Sequence, residues 1–254
     1  MISTNIIRFL RLVLHISFKP KAESGFLVVS CGKGAMKNIS AVIFDVDGVL
    51  LDSLLPHLRI CEDKNKEYNL GLTIPTADEF RKLIRRGAQV SPMKYFFEAV
   101  GFPSEYADKA VIQYDEVFVR DYSPKLFAQV GNMLTSLSQH NFKLGIITAN
   151  VSTNLEAALG PSMEFFNPGC IFTNKDSTNL SKANALHAVG RKLNVSGANI
   201  LYVGDQVADY LAAKEAGARF LGVIYGWGIS AEDKDFPTVS KVMDIAQYLL
   251  SKAT

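Results

Sequence analysis

Ala41-Val42-Ile43-Phe44-Asp45-Val46-Asp47-Gly48-Val49-Leu50-Leu51-Asp52-Ser53 is the stretch whose reading decides the fold. Four apolar residues run without alternation and then meet two acids and a glycine. A short unbroken apolar run is the pattern of a strand buried on both faces, as in a parallel sheet. In doubly wound sheets, ligands sit outside the carboxyl ends of the strands. Acids at i and i+2 on such an exit can both face one site if the backbone bends, and Gly48 supplies that freedom. One carboxylate could then be a nucleophile and the other a proton shuttle. The plainer alternatives are a surface turn or a calcium loop. An EF-hand loop needs further oxygen ligands and a glutamate about twelve residues from its start, and proline stands at position 56.

Outward from this stretch the chain alternates strands and helices. Leu144-Gly145-Ile146-Ile147, Ile200-Leu201-Tyr202-Val203 and Phe220-Leu221-Gly222-Val223-Ile224 repeat the short apolar run, with helical segments around 125–140, 181–194, 206–217 and 241–251. Such alternation predicts an α/β, doubly wound, Rossmann-like parallel-sheet core. Residues 53–123 lack strand-like runs and read as helices. Ser91-Pro92 offers an N-cap with proline at N1, Gly101 ends that helix, and Pro103-Ser104 opens another. Ser123-Pro124 marks the return to the sheet. The expected organisation is a leader over residues 1–38, a core formed by 39–52 and 124–254, and an inserted helical cap domain over 53–123.

Three further motifs follow apolar strands or open helices. Thr148-Ala149-Asn150 ends one strand, where a hydroxyl can bond a phosphoryl oxygen or simply cap the next helix. Ser181-Lys182 opens a helix. A cation is unfavourable at the positive end of a helix dipole, so Lys182 there is expected beside an anion, unless it is an ordinary solvated lysine. Gly204-Asp205-Gln206-Val207-Ala208-Asp209 places two acids one helical turn apart. Close carboxylates repel unless a cation lies between them, and magnesium suits oxygen ligands of this kind. Helix capping by Asp205 is the plain alternative. Taken singly each motif is modest. Together they fall on one face of one sheet, and context of this kind is what turns a motif into a site.

Composition excludes other classes. The 254 residues carry 27 basic and 25 acidic side chains, a net charge of +2, too little basicity for a general nucleic-acid binder. Arg8, Arg11, Lys19, Lys21, Lys33 and Lys37 stand against Glu23 alone in residues 1–40, so the basic excess belongs to the leader. Cys31, Cys61 and Cys170 form no CxxC pair, and His15, His57, His140 and His187 have no HExxH spacing. A disulfide framework and zinc-protease chemistry therefore lack support, and these side chains read as reduced thiols and scattered imidazoles. No uncharged apolar run reaches the roughly 18 residues that span a bilayer. The leader is expected to be a disordered or non-native extension, with Met36 as another start, or else a basic amphipathic targeting segment.

These motifs resemble the haloacid dehalogenase-like superfamily of hydrolases, in its phosphoglycolate-phosphatase-like branch with a helical cap. The resemblance covers residues 40 to about 230 and rests on Asp45 to Ser53, Thr148, Lys182 and Gly204 through Asp209. Gly222-Val223-Ile224-Tyr225-Gly226-Trp227-Gly228 is also similar to that branch. Ala183 departs from it, standing where many members carry proline. Asn179-Leu180-Ser181 also lacks a glycine often found before the lysine.

The resemblance implies a magnesium-dependent phosphatase acting on a small phosphorylated metabolite. Asp45 would be the nucleophile that forms an aspartyl-phosphate, and Asp47 the acid and base. Thr148, Asn150 and Lys182 would bind phosphate. Mg2+ would be held by Asp45, the backbone carbonyl of Asp47 and Asp205, with Asp209 in support. Asp47 argues against carbon–halogen cleavage, since a halide leaves without a proton. A sugar phosphomutase using the same intermediate, and a phospho-aspartate signalling or binding module, are the alternatives. Arg85 and Arg86 beside Gly87 are candidates in the cap for a second anion on the substrate, or else a solvated helix end. No nucleic acid, no stable membrane insertion, a monomer or homodimer, and a cytoplasmic location complete the expectation, with organelle targeting through the leader as the alternative to the last.

Overall fold

The computed structural model describes residues 39–173 and 180–251. The leader expectations therefore lie outside the described residues. The first apolar run is β1 (Ala41–Phe44), followed by the short β2 (Leu51–Asp52). Four helices come next: α1 (Leu54–Glu67), α2 (Ala77–Arg85), α3 (Met93–Val100) and α4 (Ser104–Val117). A π-turn at Phe118–Tyr122 leads to β3 (Lys125–Leu126), which pairs antiparallel with β2. The chain then alternates through α5 (Val130–Gln139), β4 (Lys143–Ile147), α6 (Ser152–Leu159), β5 (Ile171–Phe172) and α7 (Lys182–Leu193). It ends with β6 (Ile200–Gly204), α8 (Val207–Glu215), β7 (Arg219–Val223), β8 (Thr238–Val239) and α9 (Val242–Leu250).

Six strands form one parallel sheet in the order β5-β4-β1-β6-β7-β8. The chain builds β4 and β5 on one side of β1, then crosses to build β6, β7 and β8 on the other. The switch point lies at β1, where ligands of doubly wound folds bind. The unbroken apolar pattern has a direct cause. Val42 and Phe44 pack with Val130, Leu134 and Ile245 under one face, while Ala41 and Ile43 pack with Leu186, Val189 and Ala213 under the other. Both faces are covered, so no position in β1 faces water.

The helices between β2 and β3 have an apolar cluster of their own, including Leu58, Phe80, Phe96, Phe97 and Phe118. Trp227, from the core side, joins it. Two boundaries differ from expectation. Pro92 is the cap of α3 rather than its first helical residue: it is extended at φ −66, ψ 175, and Tyr95 N–H closes the first turn onto its carbonyl. Residues 125–126 are strand, and the helix expected from 125 begins at Val130. Gly101 ends α3 in the left-handed region at φ 114, where a side chain would be strained. Among the described residues, no helix is long and apolar enough to cross a membrane.

Candidate active site

Asp45 follows β1, and its N–H continues the ladder onto the Val203 carbonyl, so the backbone of the sheet fixes its position. Its Oδ1 accepts from Val46 N–H at 2.8 Å, and its Oδ2 accepts from Lys182 Nζ at 2.7 Å. Gly48, at φ 79, turns the chain back so that its N–H reaches the Leu51 carbonyl. The turn leaves Asp47 on the other side of the loop. Ser53 Oγ donates to Asp47 Oδ1 at 2.6 Å, and Asn150 Nδ2 donates to Oδ2 at 3.5 Å.

Lys182 is the first residue of α7, with Ser181 capping that helix through Asn184 N–H. The expected anion beside this cation is present twice, because Lys182 also donates to Asp209 Oδ1 at 2.6 Å. The second oxygen of Asp209 accepts from Gln206 N–H at 3.1 Å. Asp209 thus holds the lysine and caps α8 together. Asp205 Oδ2 accepts from Trp227 N–H at 2.7 Å, while its Oδ1 is buried without a hydrogen-bond partner among the described residues. Thr148 is buried at the end of β4 and accepts from Asn150 N–H through Oγ1 at 3.0 Å, leaving its own proton to donate.

Glycines make room for the acids. A Cβ on Gly48 or Gly226 would fall on the Asp205 carboxyl group, and one on Gly204 on Asp209. The carboxylates of Asp45, Asp205 and Asp209 offer oxygens within 4.8 Å of one another. An orphaned buried oxygen costs about 1–3 kcal/mol. An all-oxygen cluster beside it fits a hard divalent cation such as magnesium. The electrostatics agree. Burial, reinforced by Asp209 and opposed by Lys182, pushes Asp45 up to about 7. Burial, then Asp209 and Asp45, raise Asp205 well above the carboxylate range. Burial alone would depress Lys182, yet Asp209 and Asp45 outweigh it and hold the ammonium charged. A bound dication would bring the carboxyls back down.

The opposite wall comes from the cap. His57, four residues beyond Ser53 in α1, is buried against Phe96, Tyr114, Phe118 and Trp227. Its Nδ1 donates to the Ser53 carbonyl at 2.6 Å, so Nε2 is the acceptor for Tyr114 OH at 2.8 Å. Burial lowers its pKa, with Asp47 pulling the other way. A single histidine among scattered ones carries no motif. The available signal was its position on the first turn of the helix that the DxDG stretch leads into.

The structure brings Asp45, Asp47, Thr148, Asn150 and Lys182 around one cleft, with Asp205 and Asp209 behind them. Arg85 and Arg86 are not among the cleft's lining residues. Both are exposed at the end of α2, and Arg85 lines a neighbouring groove. Arg81, unremarked in the sequence, donates from the cap to the Gly226 carbonyl at 3.1 Å.

Four candidate segments thus meet at the carboxyl edge of a parallel sheet that carries an inserted helical cap. The family model for haloacid dehalogenase-like hydrolases matches residues 42–223, and the chain belongs to that family. It is 26% identical over 226 residues to a phosphoglycolate phosphatase of Vibrio parahaemolyticus, covering 82% of this chain and 96% of the relative. It is 28% identical to an N-acetylmuramic acid 6-phosphate phosphatase of Pseudomonas putida, covering 77% and 86%. A haloacid dehalogenase-like hydrolase from Streptococcus pneumoniae superposes with a TM-score of 0.67 at 22% identity, covering 84% of this chain and 99% of its own. That last likeness concerns the fold alone.

Proposed function

We propose that this hydrolase is a magnesium-dependent phosphatase that cleaves a small phosphorylated metabolite through an aspartyl-phosphate on Asp45. The observation that carries the reading is the Asp45–Lys182–Asp209 ion-paired chain beside the unpartnered Asp205 oxygen. It puts a nucleophile, a phosphate-binding cation and an unpartnered oxygen suited to a metal side by side at the carboxyl edge of the sheet. The names of the two relatives, both phosphatases, support the same reading.

The chain's own groups divide the work. Asp45 attacks phosphorus as the bond to the leaving oxygen breaks, and Asp47 gives that oxygen its proton. In the second half Asp47 takes a proton from water, the water oxygen bonds to phosphorus, and Asp45 departs as a carboxylate. Ser53 and Asn150 hold the Asp47 carboxyl for both transfers. Lys182 and Thr148 donate to the phosphoryl oxygens, and Asp209 keeps Lys182 in place. Asp45, Asp205 and the Asp47 carbonyl would hold magnesium, with Asp209 in support. When bound, the ion supplies charge stabilisation for the phosphoryl group.

Phosphate release from p-nitrophenyl phosphate tests the reading. Release is expected with magnesium, with loss on chelation and recovery on re-addition. Full release in the presence of chelator, or none with magnesium, overturns it.

A further inference from the structure

The cleft over Asp45 is small, about 70 Å³, and its wall away from the acids is His57, Met93, Phe96, Tyr114 and Trp227. Among the described residues, Lys182 is the one cation lining it, and that ammonium already answers Asp45 and Asp209. His57 offers no free nitrogen, because both its ring nitrogens are engaged, one with the Ser53 carbonyl and one with Tyr114 OH. A carboxylate lying close to the phosphoester would face aromatic rings and an imidazole whose two nitrogens already have partners. Moving a charge there without a partner is strongly unfavourable.

The cleft is not closed on the cap side. Val90, Ser91 and Gln206 line both it and a groove of about 710 Å³ between cap and core. That groove has Arg85, Ala88 and Gln89 on one bank and Val207, Glu232 and Asp233 on the other. Charges of both signs and neutral polar groups suit a hydroxyl-bearing chain rather than a second strong anion.

We infer that the natural substrate is a phosphate monoester that is uncharged beside its ester oxygen and longer than a two-carbon acid. Its far end leaves the acid cleft past Val90, Ser91 and Gln206 and lies in the groove. The inference rests on the phosphatase reading and narrows it to a class, polyol- or sugar-sized, that excludes phosphoglycolate as the preferred ester.

The test compares hexose 6-phosphate, phosphoglycolate and p-nitrophenyl phosphate on the full chain with magnesium. It adds two plugs from opposite banks of the groove, Ala88→Trp and Val207→Trp, neither lining the cleft. Expected is a kcat/KM at least tenfold higher for hexose 6-phosphate than for phosphoglycolate. Each plug should cut hexose 6-phosphate turnover about tenfold while p-nitrophenyl phosphate stays within twofold. Using both plugs guards against one of them misfolding, and the p-nitrophenyl phosphate rate reports that directly. Phosphoglycolate turned over as well as the hexose ester, or hexose turnover untouched by properly folded plugs, overturns this inference and leaves the phosphatase reading standing. Silence on all three esters overturns both.

Discussion

Asp45, Asp209 and Lys182 are held by ion pairs and Asp205 by a main-chain hydrogen bond, whereas Phe96, Phe118 and Trp227 pack their rings around His57, with His57–Phe118 centroids 4.3 Å apart. The first group tolerates almost no displacement, since glycines at 48, 204 and 226 already lie against the acids. The second is an apolar patch that can be repacked one ring at a time, a change cores accept when volume is kept. The difference teaches where each kind of substitution acts. Changes in the strand-end cluster should alter the rate on every ester alike, and changes in the cap wall should alter the ranking among esters.

Asp45→Asn puts this to its hardest test. A neutral amide is a poor nucleophile and metal ligand, so turnover of every ester should fall to background while circular dichroism stays native. Appreciable residual phosphate release would remove Asp45 from the nucleophile role. Asp47→Asn should be slower on poor leaving groups by about 10²–10⁴-fold, the usual worth of acid–base catalysis. On p-nitrophenyl phosphate, whose leaving group needs no acid, a burst of p-nitrophenolate should persist while steady turnover falls for want of the base, and an equal burst from a poor leaving group would show that Asp47 is not the acid.

Gly48→Ala tests the crowding of the cluster. The new methyl would fall on the Asp205 carboxyl group, and the positive φ of 79 adds strain. A cost of about 1–3 kcal/mol is expected, with loss of the thermal shift that magnesium gives the parent. A variant that keeps both stability and that shift would mean Asp205 has room it does not show.

The pH dependence follows from the raised carboxyls. Asp45, pushed up to about 7, and Asp205, also raised by burial, are more easily protonated folded than unfolded, where a carboxyl titrates near 3.8. In the metal-free protein Asp45 contributes stability that is fully present below about pH 4 and is lost as pH rises through 7, and Asp205 contributes in the same direction. Magnesium must bind the deprotonated forms, so its stabilising shift should grow from pH 5.5 to pH 8. Melting curves with and without the ion at both values decide it, and a larger shift at pH 5.5 would reverse the assignment.

Smaller effects belong to the cap. Tyr114→Phe removes the donor to His57 Nε2 and leaves a buried acceptor, worth about 1–3 kcal/mol of stability, and should change KM values unequally while the magnesium shift persists. Uniform loss across esters would place Tyr114 with the catalytic cluster instead. Arg86 is exposed and lines neither cavity, so Arg86→Ala should stay within twofold on all three esters. A selective loss on phosphoglycolate would restore it as an anion contact.

What was legible in the sequence divides along the same line. β1, β4, β6 and β7 announce themselves because both faces of the sheet are covered, which leaves runs of apolar residues with acids or a hydroxyl at their ends. β5, β8 and the β2–β3 pair have two residues per strand and carry no periodicity to read. Lys182 was expected beside an anion from the helix dipole alone, and it has two. The repulsion between Asp205 and Asp209 suggested a cation between them, but the spacing could not reveal that Asp209 spends both oxygens on Lys182 and Gln206. The aromatic wall stayed hidden because His57, Phe96, Tyr114 and Trp227 are far apart in sequence and meet only once the helices pack.

Trp227 stands on both sides of this division. Its peptide N–H fixes Asp205, its indole ring faces His57 and Phe96, and the carbonyl just before it receives Arg81. The group that serves the acids is main chain and is common to nearly every amino acid, while the group that lines the cleft is side chain. A substitution at this position can therefore change the wall of the cleft while the main-chain hydrogen bond to Asp205 is kept. In a saturation library at position 227, variants with an altered ester ranking should keep the parent's response to magnesium.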